Sequence, residues 1–205
     1  MARGFTHQEK ETIRNQLITE GKRLFGKYGL QKTNIAQLTK AANISPATFY
    51  KFFDSKEELY FHIFDEEMHK TQTILLDKIQ SQKSNYSPIQ NMLLTGLEMS
   101  KADPFLKQLF SGDTLNQMLQ SRSKEEIDQH FTHDYKQFAP VIQKLQTDGK
   151  IISTDPKIVT LIIQIFFLIQ EHRSKFDSEL FDQAMVLLAN WIAEGVSNTK
   201  KSKDG

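Results

Sequence analysis

Apolar residues recur at spacings of three and four along nearly the whole chain, and no segment sustains the two-residue alternation of a half-buried strand. The pattern predicts an all-α protein. In the first helix Ile13, Leu17, Gly21, Leu24, Phe25 and Tyr28 fall on one stripe, and Gly29 followed by Leu30 supplies a Schellman-type stop. The second helix is predicted to start at Asn34, with Gln37 three residues on as its capping-box partner. Ile35, Leu38, Ala41 and Ala42 form its apolar side. Asn43 then predicts a tight turn, because asparagine tolerates left-handed backbone.

The stretch "NISPATFYKFFDSKEEL", Asn43 to Leu59, holds two helix starts with almost no linker. Ser45 is an N-cap and Pro46 sits at the first helical position, where a missing N–H costs nothing. Ile44 and Phe49 make a hydrophobic staple, and the helix is expected to reach about Phe53. Ser55 and Glu58 form a second capping box that opens a fourth helix. Phe49 and Phe53 face inward, which leaves Ala47, Thr48, Tyr50 and Lys51 pointing out. A short helix with a small, hydroxylic, aromatic and basic outer face suits a DNA groove, and the three-residue turn before it completes a helix-turn-helix. The competing reading is an ordinary αα-corner in a helical core.

The segment "LFGKYGLQKTNIAQLTKAANISPATFYKFFDSKEEL" resembles the N-terminal domain of the TetR (tetracycline-repressor) family of bacterial transcription regulators. The resemblance covers residues ~5–60, about a quarter of the chain, and rests on several motifs in register. It implies an N-terminal three-helix DNA-binding domain with a helix-turn-helix, followed by a larger helical ligand-binding and dimerisation domain. It also implies a homodimer on a palindromic double-stranded DNA operator, with the third helix of each subunit in the major groove. Pro46, Ala47 and Thr48 are then candidates for base edges, with Ser45 at the helix start. Thr33 and Tyr50 offer hydroxyls to phosphates, Lys51 and Lys56 offer charge, and Asn34 and Gln37 stand at the start of the second helix. Three positions depart from the family pattern. Asn43 replaces a usual glycine, Phe52 replaces a phosphate-binding Tyr or His, and Ala36 replaces a longer polar side chain.

Beyond residue 54 the periodicity predicts helices over 55–84, 87–102, 104–110, 113–120, 125–147, 156–176 and 178–197. The expected division is a DNA-binding domain at 1–54, a regulatory and dimerisation domain at 55–198 and a basic tail at 199–205. The last two helices are apolar on more than one face, so they need more than one partner. Phe166, Phe176, Leu188 and Trp191 are the expected dimer-interface residues. Phe110, Met118, Phe131 and Tyr135 are candidate linings for a small, largely apolar effector, with Gln164 and His172 as polar groups to orient it.

Charge and composition narrow the function. Residues 1–60 carry ten Lys/Arg against six Asp/Glu in a chain whose overall charge is +1, so the basic excess lies in the head. There is no cysteine, which excludes disulfides and thiolate chemistry. The chain has no secretory leader and no apolar run of spanning length, which predicts a soluble, cytoplasmic protein without a membrane partner. No phosphate loop, nucleophile elbow or HExxH motif appears, so no catalytic residues and no cofactor are expected. His62, Asp65, Glu66 and His69, and separately His130, His133 and Asp134, have spacings that permit a divalent metal. They read better as solvated polar faces, and no metal is expected. The alternatives to a regulator are a helical protein-binding adaptor and a metal-dependent enzyme built on those histidines.

Overall fold

Thr6 opens the first helix with a full capping box: its hydroxyl oxygen accepts the Glu9 amide, and the Glu9 carboxylate accepts the Thr6 amide at 2.7 Å. The computed structural model describes residues 5–80, 86–110 and 124–197. The side chains of residues 110, 124, 126–134 and 171 lie outside that description. Among the described residues the helices are α1 (His7–Lys32), α2 (Ile35–Ala41), α3 (Pro46–Phe49), α4 (Lys56–Gln80), α5 (Pro88–Ala102), α6 (Pro104–Phe110), α7 (Lys124–Thr147), α8 (Pro156–Leu168) and α9 (Ser178–Val196). A 3-10 segment, Ile169–Lys175, joins α8 to α9. The one extended pairing among them is an isolated bridge between Ile151 and Ser197. The fold is all-α.

The chain gathers into two compact units, Met1–Lys70 with Ser100–Leu109, and Thr71–Met99 with Phe110–Gly205. The division expected at residue 54 follows a helix start. By packing, residues 56–70 and 100–109 group with the residues before it.

In the first unit Leu17, Leu24, Phe25, Leu38, Phe49, Phe53, Leu59 and Ile63 are buried, which realises the stripes of α1, α2 and α4. Tyr60 packs edge-on to Phe25 with ring centroids 5.0 Å apart and lies 5.2 Å from Phe105, so α6 closes over the same core. Tyr28, expected on the stripe, is 40% exposed. The kink at Gly29 turns the chain immediately after it.

In the second unit Leu75, Ile79, Met92, Leu93, Phe138, Ile142, Val159, Ile163, Phe166, Phe181, Met185 and Ala189 make one core. The expected stop after α7 is a full Schellman motif. Gly149 has φ 68°, the Lys150 amide donates to Leu145 O at 2.9 Å, and the Gly149 amide donates to Gln146 O at 3.0 Å. Asp177 caps α9 by accepting the Glu179 and Leu180 amides, both at 3.0 Å. The helix expected over 156–176 is shorter: α-geometry ends at Leu168 and the chain winds tighter to Lys175. The helix expected over 113–120, the end of the fourth helix at 81–84 and the tail at 199–205 lie outside the described residues.

One close approach in this core is testable. A Cβ on Gly96 would meet Cε1 and Cζ of the Phe167 ring at 2.3 Å and 2.4 Å, so the ring approaches the α5 backbone only because no side chain intervenes. Gly96→Ala is expected to cost about 1–3 kcal/mol of stability despite its better helix propensity. Urea denaturation measures it. An alanine variant as stable as wild type would show that the Phe167 ring moves aside freely.

Candidate nucleic-acid interface

The head's outward face is built by three local devices. The first is the reciprocal box at the start of α2, in which Asn34 Oδ1 accepts the Gln37 amide and Gln37 Oε1 accepts the Asn34 amide, both at 2.9 Å. The box occupies only the two oxygens, so each exposed side chain keeps an NH2 group for an acceptor. The second is the turn between α2 and α3. Asn43 has φ 54°, the Ile44 amide donates to Thr39 O at 2.9 Å, and the Asn43 amide donates to Lys40 O at 3.3 Å. This is a Schellman closure with asparagine in the place of glycine. The third is the cap of α3, where Ser45 Oγ accepts the Thr48 amide at 3.2 Å and lies 2.9 Å from Thr48 Oγ1.

Regular α-geometry in α3 ends at Phe49, four residues shorter than expected. Hydrogen-bonded turns continue it, since the Lys51 amide donates to Thr48 O and the Phe53 amide to Phe49 O, both at 3.1 Å. Phe49 and Phe53 are buried, as the staple requires. Pro46, Ala47 and Lys51 are exposed, Thr48 is half-buried, and Tyr50 is 55% exposed with its ring edge-on to Phe49. Lys51 Nζ stands 5.2 Å over the Phe5 ring, which ties the start of α1 to the end of α3. Ser45, Pro46, Ala47, Thr48, Tyr50 and Lys51 therefore share one solvent-facing surface, with Asn34 and Gln37 exposed at the start of α2.

Two expected phosphate contacts are placed differently. The Thr33 hydroxyl is fully buried and donates to Gly29 O at 2.8 Å, so it turns away from any phosphate. Lys56 Nζ donates to Leu30 O and to Thr33 O, both at 2.9 Å, and its side chain is only 22% exposed. Capping of α4 is also redistributed. Ser55 Oγ accepts the Glu58 amide at 3.0 Å, but the Glu58 carboxylate bonds to the Asp54 amide instead of the N-cap amide.

The other candidate residues separate. Phe166 is 1% exposed and belongs to the core of the second unit, which corrects its assignment to an interface. Leu188 is half-buried against that core, whereas Phe176 and Trp191 are 62% and 64% exposed. His172 is exposed on the 3-10 segment. Gln164 and Tyr135 are half-buried, with Lys157 Nζ 5.5 Å over the Tyr135 ring. As pocket linings, the side chains of Phe110 and Phe131 and the whole of Met118 lie outside the description. Sequence reasoning missed Gln170, which is 2% exposed with Nε2 unpartnered. A lone glutamine in a polar run "QEHRSK" gave no signal. His62 lies 5.9 Å from the Phe53 ring and 3.4 Å from Glu66, and no metal-ligating trio is gathered among the described residues.

Residues 17–63, which carry this surface, match the family model of bacterial regulatory proteins, tetR family. The tetR-family match is confined to this head region. A nucleoid occlusion factor, SlmA of Haemophilus influenzae, is 25% identical over 161 residues, covering 74% of this chain and 71% of that protein. The HTH-type transcriptional regulator TcmR of Streptomyces glaucescens is 36% identical over 56 residues, 27% of this chain and 25% of that one. A crystal structure of a TetR-family transcriptional regulator from Pectobacterium atrosepticum superposes with TM-score 0.76 at 16% identity, covering 94% of this chain and 98% of that one. The matched region, residues 17–63, is the DNA-binding region of bacterial transcription regulators. No helix among the described residues is long and apolar enough to cross a membrane.

Proposed function

We propose that the protein is a ligand-responsive repressor that binds a palindromic operator as a homodimer and is released by a small, largely apolar effector. The observation that carries this is the apolar surface left bare on the last two helices. On α8, Ile158, Leu161, Ile165 and Leu168 recur at three and four and are all exposed. On α9, Leu180 is 66% exposed and Trp191 64%. A second copy of the same face covers such a surface in a two-fold dimer. Two-fold symmetry then places two α3 helices on two half-sites about one helical turn, or a multiple, apart.

Duplexes enriched from random sequence by the protein are expected to contain such an inverted repeat. Thr48→Val removes the hydroxyl that faces Ser45 with little change in volume. It should alter the enriched sequence while leaving the slope of log affinity against log salt unchanged. Enrichment of no sequence, or of a site without two-fold symmetry, would refute the dimeric operator reading.

Release needs a body conformation in which the two heads no longer match the operator. Helices α4 and α5 each contribute residues to both compact units, so each is continuous from one unit to the other. A coupling of ~2–3 kcal/mol weakens operator binding by roughly 30- to 150-fold, and linkage requires operator DNA to weaken effector binding equally. An effector found by thermal-shift screening should therefore bind free protein more tightly than operator-bound protein. Equal affinity in titration calorimetry with and without operator would show that the body senses nothing relevant to DNA.

A further inference from the structure

We infer that Lys56 is a positioning residue for DNA binding, whose ammonium fixes the junction between α1 and α2 instead of supplying a charge to phosphate. The junction is where helical bonding fails. Gly29 sits at φ 78°, ψ 168°, a region open essentially to glycine alone, and the amides four residues on from Leu30 and Thr33, those of Asn34 and Gln37, donate to Gln37 Oε1 and Asn34 Oδ1. Lys56 Nζ reaches back to the two carbonyls, Leu30 O and Thr33 O, each at 2.9 Å. The Thr33 hydroxyl closes the same loop from the other side, at 2.8 Å to Gly29 O. Two side chains thus pin residues 29–33, and the next residue is Asn34, the N-cap of α2.

The consequence runs forward along the chain. The Schellman turn at Asn43 carries the direction of α2 into α3, so any tilt of α2 is passed to Ala47 and Thr48. Base readout depends on that placement, whereas a phosphate contact depends on charge alone. The environment of the ammonium also suits a buried tie. Two of its three donors are taken by carbonyls, the nearest carboxylate is Glu57 at 3.9 Å, and most of the side chain is covered.

The two roles are separated by Lys56→Met in the full chain, which keeps the apolar stem and removes the ammonium. Affinity is measured against salt on a duplex that the wild-type protein enriches from random sequence, and amide hydrogen exchange is measured without DNA. The expected result is an affinity loss of about tenfold with an unchanged salt slope, and faster exchange over residues 35–41 than in wild type, while residues 59–65 keep their protection. Thr33→Val, which removes the other tie and no charge, should move exchange in the same direction. If Lys56→Met does not fold, Lys56→Gln keeps an NH2 group without charge and should also keep the wild-type slope. A slope smaller by about one makes Lys56 a phosphate contact and overturns the inference. Wild-type affinity, or unchanged exchange over residues 35–41, overturns it as well. The exchange measurement uses free protein, so it reports on the clamp even if no operator is enriched.

Discussion

Trp191→Glu is expected to yield a monomer and to weaken operator binding by at least a hundredfold. Trp191 is 64% exposed on α9, and a large aromatic side chain at the centre of an interface is worth about 2–4 kcal/mol when removed. A two-fold interface contains each residue twice, so the dimer loses ~4 kcal/mol or more, roughly a thousandfold in dissociation constant. Glutamate adds the cost of burying two like charges in an apolar face. Operator affinity falls with the dimer, because a monomer engages one half-site only. Sedimentation at micromolar concentration reads the first effect and gel shift the second. The sequence contains one tryptophan, so wild-type fluorescence reports on this position alone. Its emission should move to longer wavelength on dilution as the ring becomes exposed to water. A wild-type protein that sediments as a monomer at micromolar concentration sinks the proposal, and so does emission that does not respond to dilution.

What the sequence reveals about this protein depends on how local each feature is. The caps of α2 and α3, the turn at Asn43 and the stop at Gly149 each involve residues within six positions of one another, and all four form as the residue types require. The apolar face of the last two helices was legible as an excess of hydrophobic positions, but its direction was not. An α-helix that is apolar nearly all round has no periodic minimum to show which side faces the core. Phe166 therefore turned out to be core, while Ile158, Leu161 and Ile165 on the other side of α8 stayed bare. The end of α8 carries no glycine or proline, so the change to tighter winding at Ile169 had no signal. The fates of Thr33 and Lys56 were hidden for a different reason. A hydroxyl or an ammonium near a helix start suits phosphate and backbone carbonyl equally well, and only the kink at Gly29 supplies the carbonyls.

Lys22 shows the limit of sequence reading most clearly, since one of its partners lies 81 residues away, and it sets the second large effect. Within the first unit its ammonium donates to Asp103 Oδ2 at 2.8 Å and pairs with Glu67 Oε2 at 2.9 Å. Lys70 Nζ takes the other oxygen of Glu67 at 2.9 Å, and Asp103 in turn caps α6 by accepting the Phe105 and Leu106 amides at 2.8 Å and 3.1 Å. One cation thus joins α1, α4 and the start of α6. Lys22→Met leaves a nearly buried carboxylate and a half-buried one short of a partner. The expected cost is about 2–3 kcal/mol, below the usual range for a fully buried pair because solvent screens the third of Lys22 that is exposed. The pH dependence follows from the two shifts. Burial alone would push the Asp103 carboxyl up, but the bonds from Lys22 and the α6 amides outweigh it and hold the group below its ordinary value. Its contribution is present above the unfolded carboxylate range and is lost as pH falls through the lowered folded value. Burial would push Lys22 down, but the bonds to Asp103 and Glu67 outweigh it and raise it, so its contribution is lost only as pH climbs through that raised value. The stability gap between wild type and Lys22→Met should therefore be flat around neutrality and narrow below about pH 4. Urea denaturation of both proteins at pH 7 and pH 3 measures it. A gap of the same size at both values would mean that the lysine acts through the packing of its stem, and that the ion cluster does not hold α6 in place.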